Sequence, residues 1–190
     1  MIWRRSSFRA AFFVYRGGIF IKILNLHGYG GSAENAAFAA LKANGHDVVS
    51  PQNDYDAVSP REMVVKLNKL AADESIGLIV GTSLGGFYAA VLSAETGLPA
   101  VLVNPCLMAF YHLPLLGYTG DISEFIGLFG ELEDLDKSRI CAIIGGSDEV
   151  VTTHSFTRGY LGEERVTVIP AGRHSGATLP LTEYFGKVIK

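Results

Sequence analysis

The sequence predicts an α/β fold with a mostly parallel central sheet of about six strands and helices on both faces. Three observations lead there. Short apolar runs alternate with amphipathic segments from Ile19 to the C-terminus, the pattern of successive βαβ units. The runs Ile76 to Val80, Ala100 to Val103 and Ile140 to Ile144 carry no polar side chain, so they need cover on both faces, as strands of parallel sheets do. Polar and glycine-rich motifs follow the strands directly, where open α/β sheets bind their ligands.

Taken in order, Ile19 to Leu26 reads as the first buried strand, ending at His27-Gly28-Tyr29-Gly30-Gly31. Ser32 can cap a helix running to about Ala43, which Asn44-Gly45 stops. Asp47 to Ser50 is a short strand. Ser59-Pro60-Arg61-Glu62 combines an N-cap, a proline at the first helical position and a capping-box glutamate. Met63, Leu67 and Leu70 then recur at helical spacing. Ile76 to Val80 is a strand followed at once by a helix from Leu84 to about Thr96, and Pro99 introduces the strand Ala100 to Val103. Asn104 to Arg139 is less regular, with one helix near Ile122 to Phe129. Ile140 to Ile144 is the next strand, Thr152 or Thr153 caps a short helix ending near Gly159, and Arg165 to Ile169 is the last strand. A helix over Thr182 to Ile189, beginning near Pro180, closes the chain.

Composition limits the function classes. The 190 residues are 48% hydrophobic and 18% charged, with a net charge of -3. Residues 19–190 therefore suit one domain with a proper core. The balance excludes disorder and lacks the basic face of a nucleic-acid binder. Cys106 and Cys141 form no CxxC pair and no metal-ligand cluster. They read as two buried, reduced thiols of a cytoplasmic protein that holds no metal. Residues 1–18 carry Arg4, Arg5, Arg9 and Arg16 and no acid, a basic arm or extension. Arg4-Arg5 followed by Phe8 has the look of a twin-arginine export signal, but the apolar stretch stops at Arg16. No stretch reaches the ~20 apolar residues that span a membrane.

The chemistry centres on Gly81-Thr82-Ser83-Leu84-Gly85. A strand that turns into a helix within these residues places the serine on a strained turn with its hydroxyl exposed, and the two glycines allow close strand–helix approach. Free helix N–H groups then point at the reaction centre. A serine needs a base, and in this arrangement acid and histidine follow after later strands. Asp148 follows the strand ending at Ile144, with Glu149 as the alternative acid; His174 follows the strand ending at Ile169. His154, just past Asp148, is the rival base but comes early in the strand order, and His46 and His112 fit less well. Ser83, Asp148 and His174 thus define a candidate Ser-His-Asp triad on an α/β-hydrolase fold. The oxyanion donors are expected at the backbone N–H groups of Tyr29 and Leu84, with His27 holding its loop by hydrogen bonds. Gly28-Tyr29-Gly30-Gly31-Ser32-Ala33 also matches a GxGxxA dinucleotide pattern, but Asp47 lies at the wrong end of the next strand to hold a ribose.

From about Ile21 to the C-terminus, the chain resembles the small YqiA-like esterases of the α/β-hydrolase superfamily. The resemblance rests on Leu26-His27-Gly28, Gly81-Thr82-Ser83-Leu84-Gly85-Gly86-Phe87-Tyr88-Ala89, Val103-Asn104-Pro105, Asp148-Glu149-Val150 and His174. It implies a serine hydrolase of acyl esters or thioesters with Ser83, Asp148 and His174 as its triad. The Tyr-Gly-Gly-Ser that follows His27-Gly28, and Arg173 and Ser175-Gly176 around His174, depart from the family pattern beside the site. The substrate pocket is expected from Cys106, Leu107, Met108, Phe110, Tyr111 and Leu113, after the strand next to the nucleophile. The expected partner is a small-molecule acyl ester or thioester, with no cofactor, and a chain this short leaves little room for a large lid, so none is expected. Two other function classes stay open: a hydrolase-fold binding protein without chemistry, and dinucleotide binding.

Overall fold

A computed structural model describes residues 21–189; the basic arm read over residues 1–18 lies outside them. Six strands form one sheet: β1 (Lys22–Leu26), β2 (Asp47–Val49), β3 (Leu78–Thr82), β4 (Ala100–Val103), β5 (Ile140–Gly145) and β6 (Val166–Ile169). Their order is β2-β1-β3-β4-β5-β6, and every neighbouring pair is parallel. The chain steps outward from β1 to β2, then returns to place β3 on the other side of β1. That reversal opens a crevice at the carboxyl ends of β1 and β3.

Period-2 alternation along the strands builds two cores. Leu24, Leu26, Ile79, Leu102, Ala142 and Ile144 face one side, where they meet α2 (Pro60–Asp73), α3 (Leu84–Thr96) and α5 (Ile122–Glu131). Ile23, Leu78, Val80, Val101, Val103 and Ile143 face the other, against α1 (Ala36–Ala43) and α7 (Leu181–Val188). The expected capping box is present on α2: Ser59 accepts from the Glu62 amide, and Glu62 accepts from the Ser59 amide.

Most boundaries fall within a residue or two of the sequence reading, and the starts of α1 and β3 differ for reasons visible in their hydrogen bonds. Asn35, not Ser32, caps α1, its carboxamide accepting from the Phe38 amide at 2.9 Å. Long-range bonds hold the preceding residues out of the helix: Ala33 O accepts from Ser50 Oγ, and Ala33 N donates to Gln52 Oε1. β3 begins at Leu78 rather than Ile76, because the Ile76 amide is taken by Ala71 O at the end of α2. The irregular stretch after β4 contains the short α4 (Ala109–His112) and three 3-10 turns besides α5, and α6 (His154–Leu161) follows β5.

Phe125 on α5 is fully buried and packs on Phe87, Tyr88 and Tyr118, with ring centroids 5.6, 6.2 and 5.6 Å away. Truncation there leaves a cavity as well as lost apolar transfer. We expect Phe125→Ala to cost about 3–5 kcal/mol in urea denaturation.

Candidate active site

Ser83 sits between β3 and α3 with φ 54° and ψ -118°. A non-glycine residue there carries about 1–3 kcal/mol of strain, and its surroundings hold it in place. Its amide donates to Val103 O at 3.0 Å, and its carbonyl accepts from the amides of Gly86, Phe87 and Cys106. A Cβ on Gly81 would overlap the Gly85 carbonyl, and one on Gly85 would overlap the carbonyls of Leu26 and His27. Both glycines are therefore required by close backbone approach. A Cβ on Gly28 would stand 3.0 Å from Ser83 Cβ and 3.5 Å from Ser83 Oγ, so this glycine keeps the space beside the hydroxyl open.

The loop after β1 is fixed by His27. Asn53 N donates to His27 Nε2 at 2.9 Å, which puts the ring proton on Nδ1, facing Gly28 O at 2.8 Å. Tyr55 OH donates to His27 O at 2.7 Å, and burial pushes the Tyr55 hydroxyl well above its ordinary range. Tyr29 OH donates to Asp56. Beside it opens a cleft of about 350 Å³ lined by polar groups including Asn53, Asp54 and Asp56. Among the described residues, the amides of Tyr29 and Leu84 have no protein acceptor. The glycine loop does not itself open a helix, since α1 starts only at Ala36; the anion-binding helix N-terminus of a dinucleotide site is missing there.

Asp148 lies on the loop after β5 and His174 on the loop after β6. His174 Nδ1 faces the Asp148 carboxylate at 3.1 Å (Oδ1) and 3.0 Å (Oδ2), leaving Nε2 as the free ring nitrogen. Oδ1 also accepts from the amides of Val150 and Val151 at 2.8 and 2.9 Å, and Oδ2 meets His154 Nε2 at 2.9 Å. Burial opposes ionisation of Asp148, but these donors outweigh it and hold the carboxyl well below the usual range. Glu149 points elsewhere: it pairs with Arg173 at 3.4 Å and accepts from the His174 amide rather than the ring. Among the described residues no hydrogen bond joins His174 to Ser83 Oγ.

Asn104 links these parts, in a role the sequence reading did not assign. It is completely buried at φ 43° after β4. Its Nδ2 donates to Arg173 O at 2.9 Å and His174 O at 2.8 Å, and its Oδ1 accepts from Gly145 N at 2.7 Å. The amide of Ser83 bonds Val103 O, one residue away. The serine and histidine loops therefore hang from the same end of β4. The available signal was a lone amide side chain directly after an all-apolar strand.

The expected pocket residues separate. Leu107 and Leu113, on either side of α4, are completely buried and belong to the core cluster that also holds Phe87. Cys106 is buried with its amide on Ser83 O, and burial together with the Asp148 charge pushes its thiol up to about 12. Tyr111 is half exposed at the surface. Met108 and Phe110 are partly buried, Phe110 edge-on to Phe129 at 5.2 Å. His112 is buried with Nε2 3.0 Å from Thr153 Oγ1. Cys106 and Cys141 are both free thiols. No helix of the described residues is long and apolar enough to cross a membrane, and no group of His, Cys, Asp and Glu among them could hold a metal ion.

The parallel sheet order, the strained serine between β3 and α3, and the histidine after the last strand define an α/β-hydrolase fold. Solved structures share it. A hydrolase-like protein of the alpha/beta superfamily from Xanthomonas campestris pv. campestris matches with TM-score 0.59 and 16% identity over 86% of this chain and 95% of that one. MGS-MChE2, an alpha/beta hydrolase enzyme from the metagenome of Mar Chica lagoon sediments, matches at 0.57 and 14% over 89% of each. The esterase RhEst1 from Rhodococcus sp. ECU1013 matches at 0.53 and 15% over 88% of each. The chain belongs to the YqiA-like Uncharacterised protein family (UPF0227), whose model matches residues 22–133.

Two outcomes follow from the bonds of Asn104 and Asp148. Asn104→Ala leaves the Gly145 amide buried without its acceptor and frees the His174 backbone; a stability loss of about 2–3 kcal/mol is expected in urea denaturation. Asp148→Asn removes a carboxylate whose folded pKa is depressed. The wild type's stability advantage over it is then full above the ordinary carboxylate range (about pH 4) and shrinks as pH falls below it. Denaturation series from pH 7 to pH 2 measure that difference.

Proposed function

We propose that the protein is a serine hydrolase cleaving carboxylic acyl esters or thioesters, with Ser83 as nucleophile, His174 as base and Asp148 as its orienting acid. The observation that carries this reading is the His174 Nδ1–Asp148 hydrogen bond at 3.0 Å, set at the same carboxyl end of the strands as the strained serine. With its proton fixed on Nδ1, His174 offers Nε2 to take the Ser83 proton as Oγ attacks the carbonyl. The amides of Tyr29 and Leu84 stabilise the oxyanion that forms. His174 then protonates the leaving alcohol or thiol, and water resolves the acyl-enzyme by the same steps in reverse roles. Substrate brings Ser83 and His174 into hydrogen-bond contact, as catalytic bonds often tighten only in the complex. Two buried free thiols fit the reducing conditions of the cytoplasm.

A binding protein of the same fold without chemistry is the reading favoured by the unmade Ser83–His174 bond. One experiment separates the two. A fluorophosphonate probe should label the wild type at Ser83 and leave Ser83→Ala unlabelled, and a panel of p-nitrophenyl esters and acyl thioesters should show turnover lost in the same variant. Well-folded wild type that takes no label and turns over no ester or thioester overturns the hydrolase reading.

A further inference from the structure

The carboxylate that orients His174 also receives a second histidine, which the proposed reaction leaves without a task. His154 is the first residue of α6, and its Nε2 stands 2.9 Å from Asp148 Oδ2. The two side chains are 11% and 1% exposed, so water does not replace the bond cheaply. His154 Nδ1 is buried and has no partner among the described residues. The ring proton therefore sits on Nε2, where it finds an acceptor. His174 has the opposite arrangement, Nδ1 on the carboxylate and Nε2 free. Asp148 thus collects four donors: the Val150 and Val151 amides and two imidazole rings. That fills the roughly four lone-pair sites of a carboxylate.

We propose that His154 is a positioning residue: its Nε2–H pins the Asp148 carboxylate and draws on its charge, setting how strongly Asp148 stabilises the imidazolium that forms when His174 Nε2 takes the Ser83 proton. The role rests on the hydrolase reading above. Each donor on a carboxylate disperses its charge, and a carboxylate shared by two rings supports an imidazolium less strongly than one serving a single ring. The other ionisable groups nearby are bonded differently. From α4, His112 meets Thr153 Oγ1, and its own protonation is disfavoured chiefly by burial, with the Asp148 charge opposing that. From the loop after β4, Cys106 is a thiol held neutral. Glu149 and Arg173 pair with each other beside the His174 backbone. His154 supplies a second imidazole donor on Oδ2, beside the one that His174 itself places there.

The direction of the effect follows. Without the His154 donor, Asp148 holds the His174 imidazolium more strongly, so the base stays protonated to higher pH and the acid limb of kcat/KM moves up. The test measures that limb with a short-chain p-nitrophenyl ester for wild type, His154→Phe and His154→Gln. The phenyl ring fills the space without a donor, whereas the Gln amide nitrogen falls near the Nε2 position. His154→Phe should raise the limb by about half a pH unit to one unit, and His154→Gln should return it toward wild type. A limb unmoved in active His154→Phe overturns the role, as does an equal shift in His154→Gln, which would assign the effect to packing. Should the Phe variant fail to fold, long-range ¹H–¹⁵N spectra of the wild type read the tautomers directly. His154 as Nε2–H beside His174 as Nδ1–H supports the role; His154 as Nδ1–H overturns it. A wild type inert to ester and probe overturns the hydrolase reading and this role together, whereas a labelled, active wild type with an unmoved limb overturns this role alone.

Discussion

The close seating of α3 on the sheet is the constraint from which the site follows. At Gly85 the helix backbone lies against the last carbonyls of β1, at Gly81 it lies against the end of β3, and at Gly86 it meets Pro105 beyond β4. No side chain fits in any of these contacts. The chain reaches the helix axis from the strand in one residue, and that residue is Ser83, at a positive φ of 54°. The geometry that strains the serine also sets Ser83 against Gly28 and the first turn of α3 against the end of β1. The proposed nucleophile and the amides proposed to stabilise the oxyanion are thus two results of a single backbone approach.

The polar half of the site is built on a different principle. Around Asp148 and Asn104 nearly every buried donor has a named acceptor, so these side chains do for the loops what backbone ladders do for the strands. Asn104 is the more economical of the two, joining the ends of β4 and β5 to the His174 loop through one carboxamide. Asp148 concentrates charge where Asn104 only transmits position. Asn104 therefore bears on how the loops are joined, and Asp148 on how the site responds to pH.

Much of this was legible in the chain itself. α3 over Leu84–Thr96 and β4 over Ala100–Val103 stand where apolar patterning and Pro99 put them, and the box at Ser59 and Glu62 forms as read. Patterning succeeds there because local propensity and tertiary packing agree. It failed at Ser32, a competent cap, because Ser50 and Gln52 capture Ala33 from across the sheet. It also gave too much to the segment after β4: apolar letters at Leu107 and Leu113 do not say whether a side chain lines a crevice or fills a core, and both are buried in the core cluster. The strand order brought His174 to Asp148, yet could not foresee His154 beside it. That contact depends on how α6 folds back from Val151, and no periodicity records it.

The position of β6 at the margin of the sheet has a further consequence. Its four residues pair with β5 on one side, and among the described residues no strand lies on the other. Ser83 grows out of β3, an interior strand with neighbours on both sides. The two groups thus stand on ground of unequal firmness, since margins open at lower free energy than interiors. Fraying of β6 would leave the His174 loop to its bonds with Asn104 and Asp148 while β1, β3, β4 and β5 remain joined. The support under the histidine loop can then loosen locally while the rest of the sheet stays folded.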